Sequence, residues 1–262
     1  MKGKNTVIAR IAGAILAISL GLTLATCQAV NAGLGPKIDL YPPTISISSP
    51  TANAYLKGTI ALQGKAADDM SLKSVEVTYP SASGSKTLTA TLNTDGTWTC
   101  NIPTGTTGTD NLPDGQQTLV ATAIATSGKT TQTSVIVNVD NIPPTVLVST
   151  PNSYFNPLLK NSSSPTFSDY VDISGSAWDP SPITSVQVTL WDNKVPSAPV
   201  KIGSQPADGT NTWSTRFKLK DTDGGALTKQ NDGDTLTYEI NVTDAAGNQS
   251  TYYYHQQDVA SL

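Results

Sequence analysis

Apolar and polar residues alternate in short runs along most of the chain. Ile45 and Ile47, Ile60 and Leu62, the trio Val75, Val77 and Tyr79, the trio Trp98, Cys100 and Ile102, and the trio Val135, Val137 and Val139 each fall on one face with a period of two. That spacing predicts strands buried on one side. Turn-forming residues punctuate the runs at Asp69, Ser83-Gly84, Asp95-Gly96, Pro113-Asp114-Gly115 and Ser127-Gly128, where Gly and Asp supply backbone conformations that other residues resist. No amphipathic helical stripe of useful length interrupts them, so the pattern predicts an all-β chain.

The pattern is also duplicated. Asp39, Pro42, Pro43, Thr44 and Ile45 recur 101 residues later as Asp140, Pro143, Pro144, Thr145 and Val146. Gly64, Ala66, Asp68, Ser74, Val75 and Val77 recur 111 residues on as Gly175, Ala177, Asp179, Ser185, Val186 and Val188. Trp98 then matches Trp213, Thr118-Leu119 matches Thr235-Leu236, and Gly128 matches Gly247. Duplication at this period means two copies of one unit. With about seven short strands per copy, the expected fold is two tandem immunoglobulin-like Greek-key β-sandwiches after an N-terminal signal segment. The boundaries read as a signal segment at 1–32, a short linker at 33–40, a first domain at 41–140, and a second at 141–262 with an insertion near 152–170. A Pro-Pro pair at the mouth of each first strand fixes φ and removes donors, which protects that edge and stiffens the link between the two beads.

The N-terminus belongs to a different class of sequence. Lys2, Lys4 and Arg10 precede an apolar run over 11–25, the arrangement of an export signal and shorter than a spanning helix. Two exits follow. Leu24-Ala25-Thr26-Cys27 resembles the lipid-attachment motif in which Cys27 becomes an acylated N-terminus, with Thr26 where a smaller residue is usual. Val30-Asn31-Ala32 offers instead an ordinary cleavage before Gly33. The first gives a membrane-attached protein of the cell envelope or surface, the second a secreted one.

Composition narrows the chemistry. Without Lys2, Lys4 and Arg10, 13 basic residues face 20 acidic ones, and an acidic surface without a basic stripe argues against nucleic-acid binding. Beyond Cys27 there is one thiol, Cys100, and the chain has one histidine, His255. The usual pairings of nucleophile and base, or of metal-ligating Cys and His, are therefore hardly available, and the chain reads as non-catalytic.

Three motifs carry a family resemblance. Asp140-x-x-Pro143-Pro144-Thr145-Val146, Gly175-x-Ala177-x-Asp179 and Thr243-Asp244-Ala245-Ala246-Gly247-Asn248 resemble the bacterial Ig-like domains repeated in large surface adhesins and envelope proteins. The first repeat departs from this at Thr126-Ser127-Gly128-Lys129, which lacks the Asp and the Asn. The resemblance implies a stalk, spacer or interaction module. It also implies that Asp140, Asn141, Asp179, Asp244 and Asn248 gather at one pole of the second domain as hard oxygen ligands for Ca²⁺ at the interdomain junction. The competing reading is that each carboxylate caps its own turn. The first domain offers Asp39, Asp68 and Asp69 for the same role, without the turn Asp.

Trp98 and Trp213 match between repeats and are expected in the cores. Trp178 and Trp191 have no counterpart in the first repeat; with Tyr252 and Tyr254 of the last strand they form a candidate ligand-binding set on the second domain. The partner classes in view are an envelope protein or a polysaccharide, and the membrane itself through a lipid on Cys27.

Overall fold

The computed structural model of the protein describes residues 38–105, 107–150, 170–193, 199–218 and 235–257. The signal segment, Cys27 and the insertion over 151–169 lie outside the described residues. Every named element among the described residues is a β-strand.

The first repeat comprises β1 (Thr44–Ser49), β2 (Tyr55–Leu56), β3 (Thr59–Ala67), β4 (Leu72–Ser81), β5 (Gly84–Thr89), β6 (Thr91–Leu92), β7 (Thr97–Pro103), β8 (Gly115–Ala125) and β9 (Thr130–Val139). They form one sheet in the order β1-β3-β7-β6 and another in the order β2-β9-β8-β4-β5. The second repeat follows with β10 (Thr145–Thr150), β11 (Tyr170–Trp178), β12 (Ile183–Asp192), β13 (Val200–Pro206), β14 (Thr212–Lys218), β15 (Thr235–Asp244) and β16 (Gln249–Gln257). Their sheets run β10-β11-β14 and β13-β12-β15-β16. Strand for strand, the second repeat reproduces β1, β3 and β7 in one sheet and β5, β4, β8 and β9 in the other.

Each sandwich has its own core, contributed by both of its sheets. The first gathers Leu62, Val75, Val77, Tyr79, Trp98, Ile102, Leu119 and Val137, among others. The second gathers Ile173, Val188, Leu190, Trp213, Tyr238 and Ile240. The period-two positions of the sequence are therefore the inward positions, because successive side chains on a strand point to opposite faces. Cys100, 5 % exposed, is one of them. Burial raises the pKa of its thiol, which suits a small apolar filler better than a nucleophile.

A glycine facing a tryptophan explains much of the duplication. Gly64 pairs with Trp98 and Gly175 with Trp213 in antiparallel register. A Cβ on Gly64 would lie 2.6 Å from Trp98 Cζ2 and 1.9 Å from Ser46 O; on Gly175, 2.5 Å from Trp213 Cζ2 and 2.2 Å from Leu147 O. Each indole thus lies against bare backbone, which only glycine permits at that distance.

One expected correspondence moves by two residues. The turns at Gly128 and Gly247 close alike, with Ala125 N donating to Lys129 O at 2.9 Å and Asp244 N to Asn248 O at 3.1 Å. Counting from these turns, Leu119 corresponds to Tyr238 rather than to Leu236. The Thr-Leu dipeptide repeats in sequence but falls at different depths in the two strands.

Candidate cation site at the domain junction

Residues 42–262 form one unit that holds both sandwiches, and the chain passes between them at Asp140 and Asn141. Asp140 N donates to Leu56 O at 2.9 Å, tying the end of the first repeat to its own loop. The Asp140 side chain turns into the second sandwich. Its Oδ1 accepts from Ile142 N at 3.0 Å and its Oδ2 accepts the Ser181 hydroxyl proton.

Two further carboxylates converge there. Asp179 follows β11 and Asp244 ends β15, so both sit at the pole that Asp140 enters. Asp140, Asp179 and Asp244 are 4, 9 and 2 % exposed, and one carboxylate oxygen of each lies within 4.8 Å of the others. Asp179 Oδ1 accepts from Ser181 N at 2.8 Å, an Asx turn. Asp244 Oδ1 accepts from Asn248 N, and its Oδ2 from Asn248 Nδ2, each at 2.8 Å. Asn248 Nδ2 also reaches Asp140 O at 2.9 Å, bracing the turn against the linker.

The capping reading accounts for most of these oxygens but leaves one. Asp179 Oδ2 is buried and accepts no hydrogen bond, and it faces two more carboxylates. Burial above all, then Asp140 and Asp244, pushes the Asp179 pKa up to about 6, against the Ser181 N–H that favours the charged form. An orphaned carboxylate oxygen among three buried acids is satisfied by a proton or by a cation. The donor set is hard oxygen alone, which suits Ca²⁺ rather than a softer metal. Asp140, Asp179 and Asp244 are the residues that would hold it, with Ser181 and Asn248 fixing their rotamers.

Asn141 departs from the expected ligand set. Its Oδ1 accepts from Gly58 N at 2.9 Å and from Thr104 Oγ1 at 3.0 Å, while its N and Nδ2 donate to Asp114 Oδ1 at 3.2 and 2.6 Å. All three partner residues belong to the first sandwich. The physical reason is alternation: neighbouring side chains in an extended segment point apart, so Asn141 cannot enter the pole that Asp140 enters. Lys57 adds a further link, its ammonium donating to Gly247 O. Sequence reasoning missed Ser181, Lys57 and Asp114. Ser181 had a signal, a hydroxyl two residues after an Asp; the other two come from remote loops and had none.

In the first repeat Asp68 Oδ1 caps Met70 N and Ser71 N, each at 2.9 Å. Ala125 and Lys129 stand there where Asp244 and Asn248 stand in the second, so the buried trio has no complete counterpart, although Asp68 Oδ2 is likewise buried without a hydrogen-bond partner.

The four aromatic candidates are not brought together. Trp178, 64 % exposed, lies on the outer side of the β10-β11-β14 sheet. Trp191 lies on the outer side of the other sheet. Tyr252 and Tyr254 pair with Ile240 and Tyr238, which places them on the inner side of edge strand β16. Tyr254 packs on Tyr238 with ring centroids 6.3 Å apart. Trp98 and Trp213 are core residues, 0 and 1 % exposed.

Residues 43–121 match the family model described as a bacterial Ig domain. No curated protein matches the chain. Among solved structures, it is similar to the fibronectin(III)-like modules of Clostridium thermocellum CbhA, with 16 % identity and a TM-score of 0.39 over 82 % of this chain and 92 % of that one. A structure described as bearing on host cell surface retention of a 1.5-MDa bacterial ice-binding adhesin gives 16 % identity and a TM-score of 0.44, covering 86 % of this chain and 66 % of that one. A tetra-tandem repeat from the extending region of a large adhesion protein gives 19 % identity and a TM-score of 0.33, covering 82 % of this chain and 48 % of that one. These likenesses concern the β-sandwich fold alone.

Proposed function

We propose that this chain is a non-catalytic protein of the bacterial cell envelope or surface, a two-bead Ig-like spacer or adhesion module whose junction is set by a bound Ca²⁺. The observation that carries the reading is Asp179 Oδ2, buried without a partner beside Asp140, the residue through which one sandwich hands the chain to the next. A cation there neutralises the acidic pole and fixes the linker carboxylate, so the second bead is held at a defined angle to the first. The Asn141 amide and the Lys57 ammonium make the matching contacts from the other side.

Export follows from the N-terminal segment. Attachment through a lipid on Cys27 is the first route to the envelope; cleavage after Ala32 is the second. Intact mass of protein extracted from its native membrane separates them, because only the first gives a chain that begins at Cys27 and carries acyl mass.

Calorimetric titration of the metal-stripped full chain with Ca²⁺ tests the cation. The expected result is one saturable site that Asp179→Asn abolishes, with a melting temperature that rises with free Ca²⁺ in the wild type alone. A wild-type chain that gives neither heat nor a melting shift contradicts the reading.

A further inference from the structure

The outer face of the β13-β12-β15-β16 sheet carries an organised set of side chains that the junction does not use. Trp191 donates from Nε1 to Glu239 Oε2 at 3.0 Å, and Asn241 Nδ2 donates to Glu239 Oε1 at 3.1 Å. Thr251 Oγ1 continues the line to Asn241 Oδ1 at 2.6 Å. Beside it Asn193 Nδ2 donates to Thr237 Oγ1, which lies 2.9 Å from His255 Nδ1. Gln187 Nε2 and Thr189 Oγ1 meet Ser204 Oγ at 3.0 and 2.8 Å. Trp191 stands opposite Thr237, whereas Glu239 stands opposite Thr189. The indole Nε1 therefore reaches diagonally across the strands to Glu239, beside Thr189 and Thr237. Both are only 6 % exposed although they point outward. Trp191 itself is half-buried. Tyr253, opposite Glu239 on β16, is 55 % exposed on the same side.

The first repeat is an internal control. It has the same strands in the same register, with Val77 opposite Ala121 where the second has Val188 opposite Ile240. At the positions of Trp191, Glu239, Asn241, Tyr253 and His255 it carries Pro80, Val120, Thr122, Ser134 and Ile136. Only the hydroxyl contact of Thr189 with Ser204 has a counterpart, Thr78 Oγ1 to Thr87 Oγ1 at 2.9 Å. The fold therefore forms without the network, and the network needs a reason other than folding.

We infer that this face binds an uncharged polysaccharide. The exposed parts of the Trp191 and Tyr253 rings offer electron-rich aromatic surface to the C–H bonds of a pyranose ring. The surrounding amides, hydroxyls and carboxylate are the mixed donors and acceptors that match a hydroxyl-rich ligand. Charge fits the same occupant: Glu239 is internally hydrogen-bonded and is offset by Lys201, opposite Trp191. The face thus attracts neither a phosphate backbone nor an anionic lipid. Trp191 lies eight residues along β12 from Ile183, about 26 Å from the acidic pole at the rise of a strand, so the two sites are separate. The inference rests on the interaction-module reading of the chain and is independent of the cation.

Native gel electrophoresis of the full chain through gels containing laminarin, dextran or galactomannan, with heparin as an anionic comparison, tests it in calcium and in EGTA. Retardation by at least one of the three uncharged polymers in both buffers is expected. Trp191→Ala and Tyr253→Ala each raise the dissociation constant about tenfold or more, and Ile136→Thr on the first repeat leaves it unchanged. Tyr253 is largely exposed, so its variant keeps the fold if the tryptophan variant does not. Migration unaffected by all three polymers, retardation by heparin alone, retardation that needs calcium, or retention insensitive to both variants overturns the inference. The first of these outcomes leaves the spacer reading standing, which the calcium titration decides separately.

Discussion

Asp140 and Asn141 are neighbours in sequence and send their side chains into different sandwiches. The carboxylate of Asp140 joins Asp179 and Asp244 in the second repeat, while the amide of Asn141 engages Gly58, Thr104 and Asp114 in the first. The two neighbours thus tie the linker to both repeats, Asp140 through an acidic pole and Asn141 through its amide, beside the link from Lys57 to Gly247.

Removing the Asn141 half should loosen the junction without unfolding either core. Asn141→Ala deletes the side-chain partner of Gly58 N and Thr104 Oγ1 and leaves Asp114 short of a donor, at a cost of about 0.5–1.5 kcal/mol for hydrogen bonds that are exposed or half-buried. Residual dipolar couplings should fit one alignment tensor for both sandwiches in the wild type and two in the variant. A single tensor in both proteins contradicts the role given to Asn141.

The acidic half predicts a pH dependence of definite sign. The folded-state pKa of Asp179 is raised to about 6, above an unfolded value of about 4, so the native state binds the extra proton. Its contribution is fully present below about pH 4 and is lost as pH rises through about 6. In EGTA the melting temperature should fall across this window. Saturating calcium should remove the fall, because the ion replaces the proton, and Asp179→Asn should flatten the curve in both buffers.

The glycine and tryptophan pairs should resist the smallest enlargement. Gly175→Ala sets a methyl 2.5 Å from Trp213 Cζ2 and 2.2 Å from Leu147 O, so backbone or indole must move, at a cost of about 1–3 kcal/mol. Urea denaturation should show the loss, and Gly64→Ala should reproduce it in the first sandwich.

Much of this was legible in the sequence for a physical reason. Period-two alternation identifies inward positions without knowledge of strand partners, so Leu62, Val77, Trp98 and Val137 could be placed in a core before the sheets were known. Duplication then paired Gly64 with Gly175 and Trp98 with Trp213. The acidic trio was legible because Asp140, Asp179 and Asp244 sit at strand ends, which a sandwich gathers at one pole. Alternation says nothing about which strand lies beside which, or where a side chain leans. Hence the direction of Asn141, the reach of Lys57 to Gly247 and the tether of Trp191 to Glu239 had no sequence signal. The choice of Tyr252 and Tyr254 over Tyr253 has the same origin: their parity was visible, but not that it faced inward.

The most direct measurement is a crystal structure of the chain grown in calcium, with an anomalous difference map. A peak bound by Asp140, Asp179 and Asp244, with Asn248 still braced against the Asp140 carbonyl, is the result this account predicts. An acidic pole without an ion, in which Asp179 has turned out to solvent or shares a proton with Asp140, would contradict it.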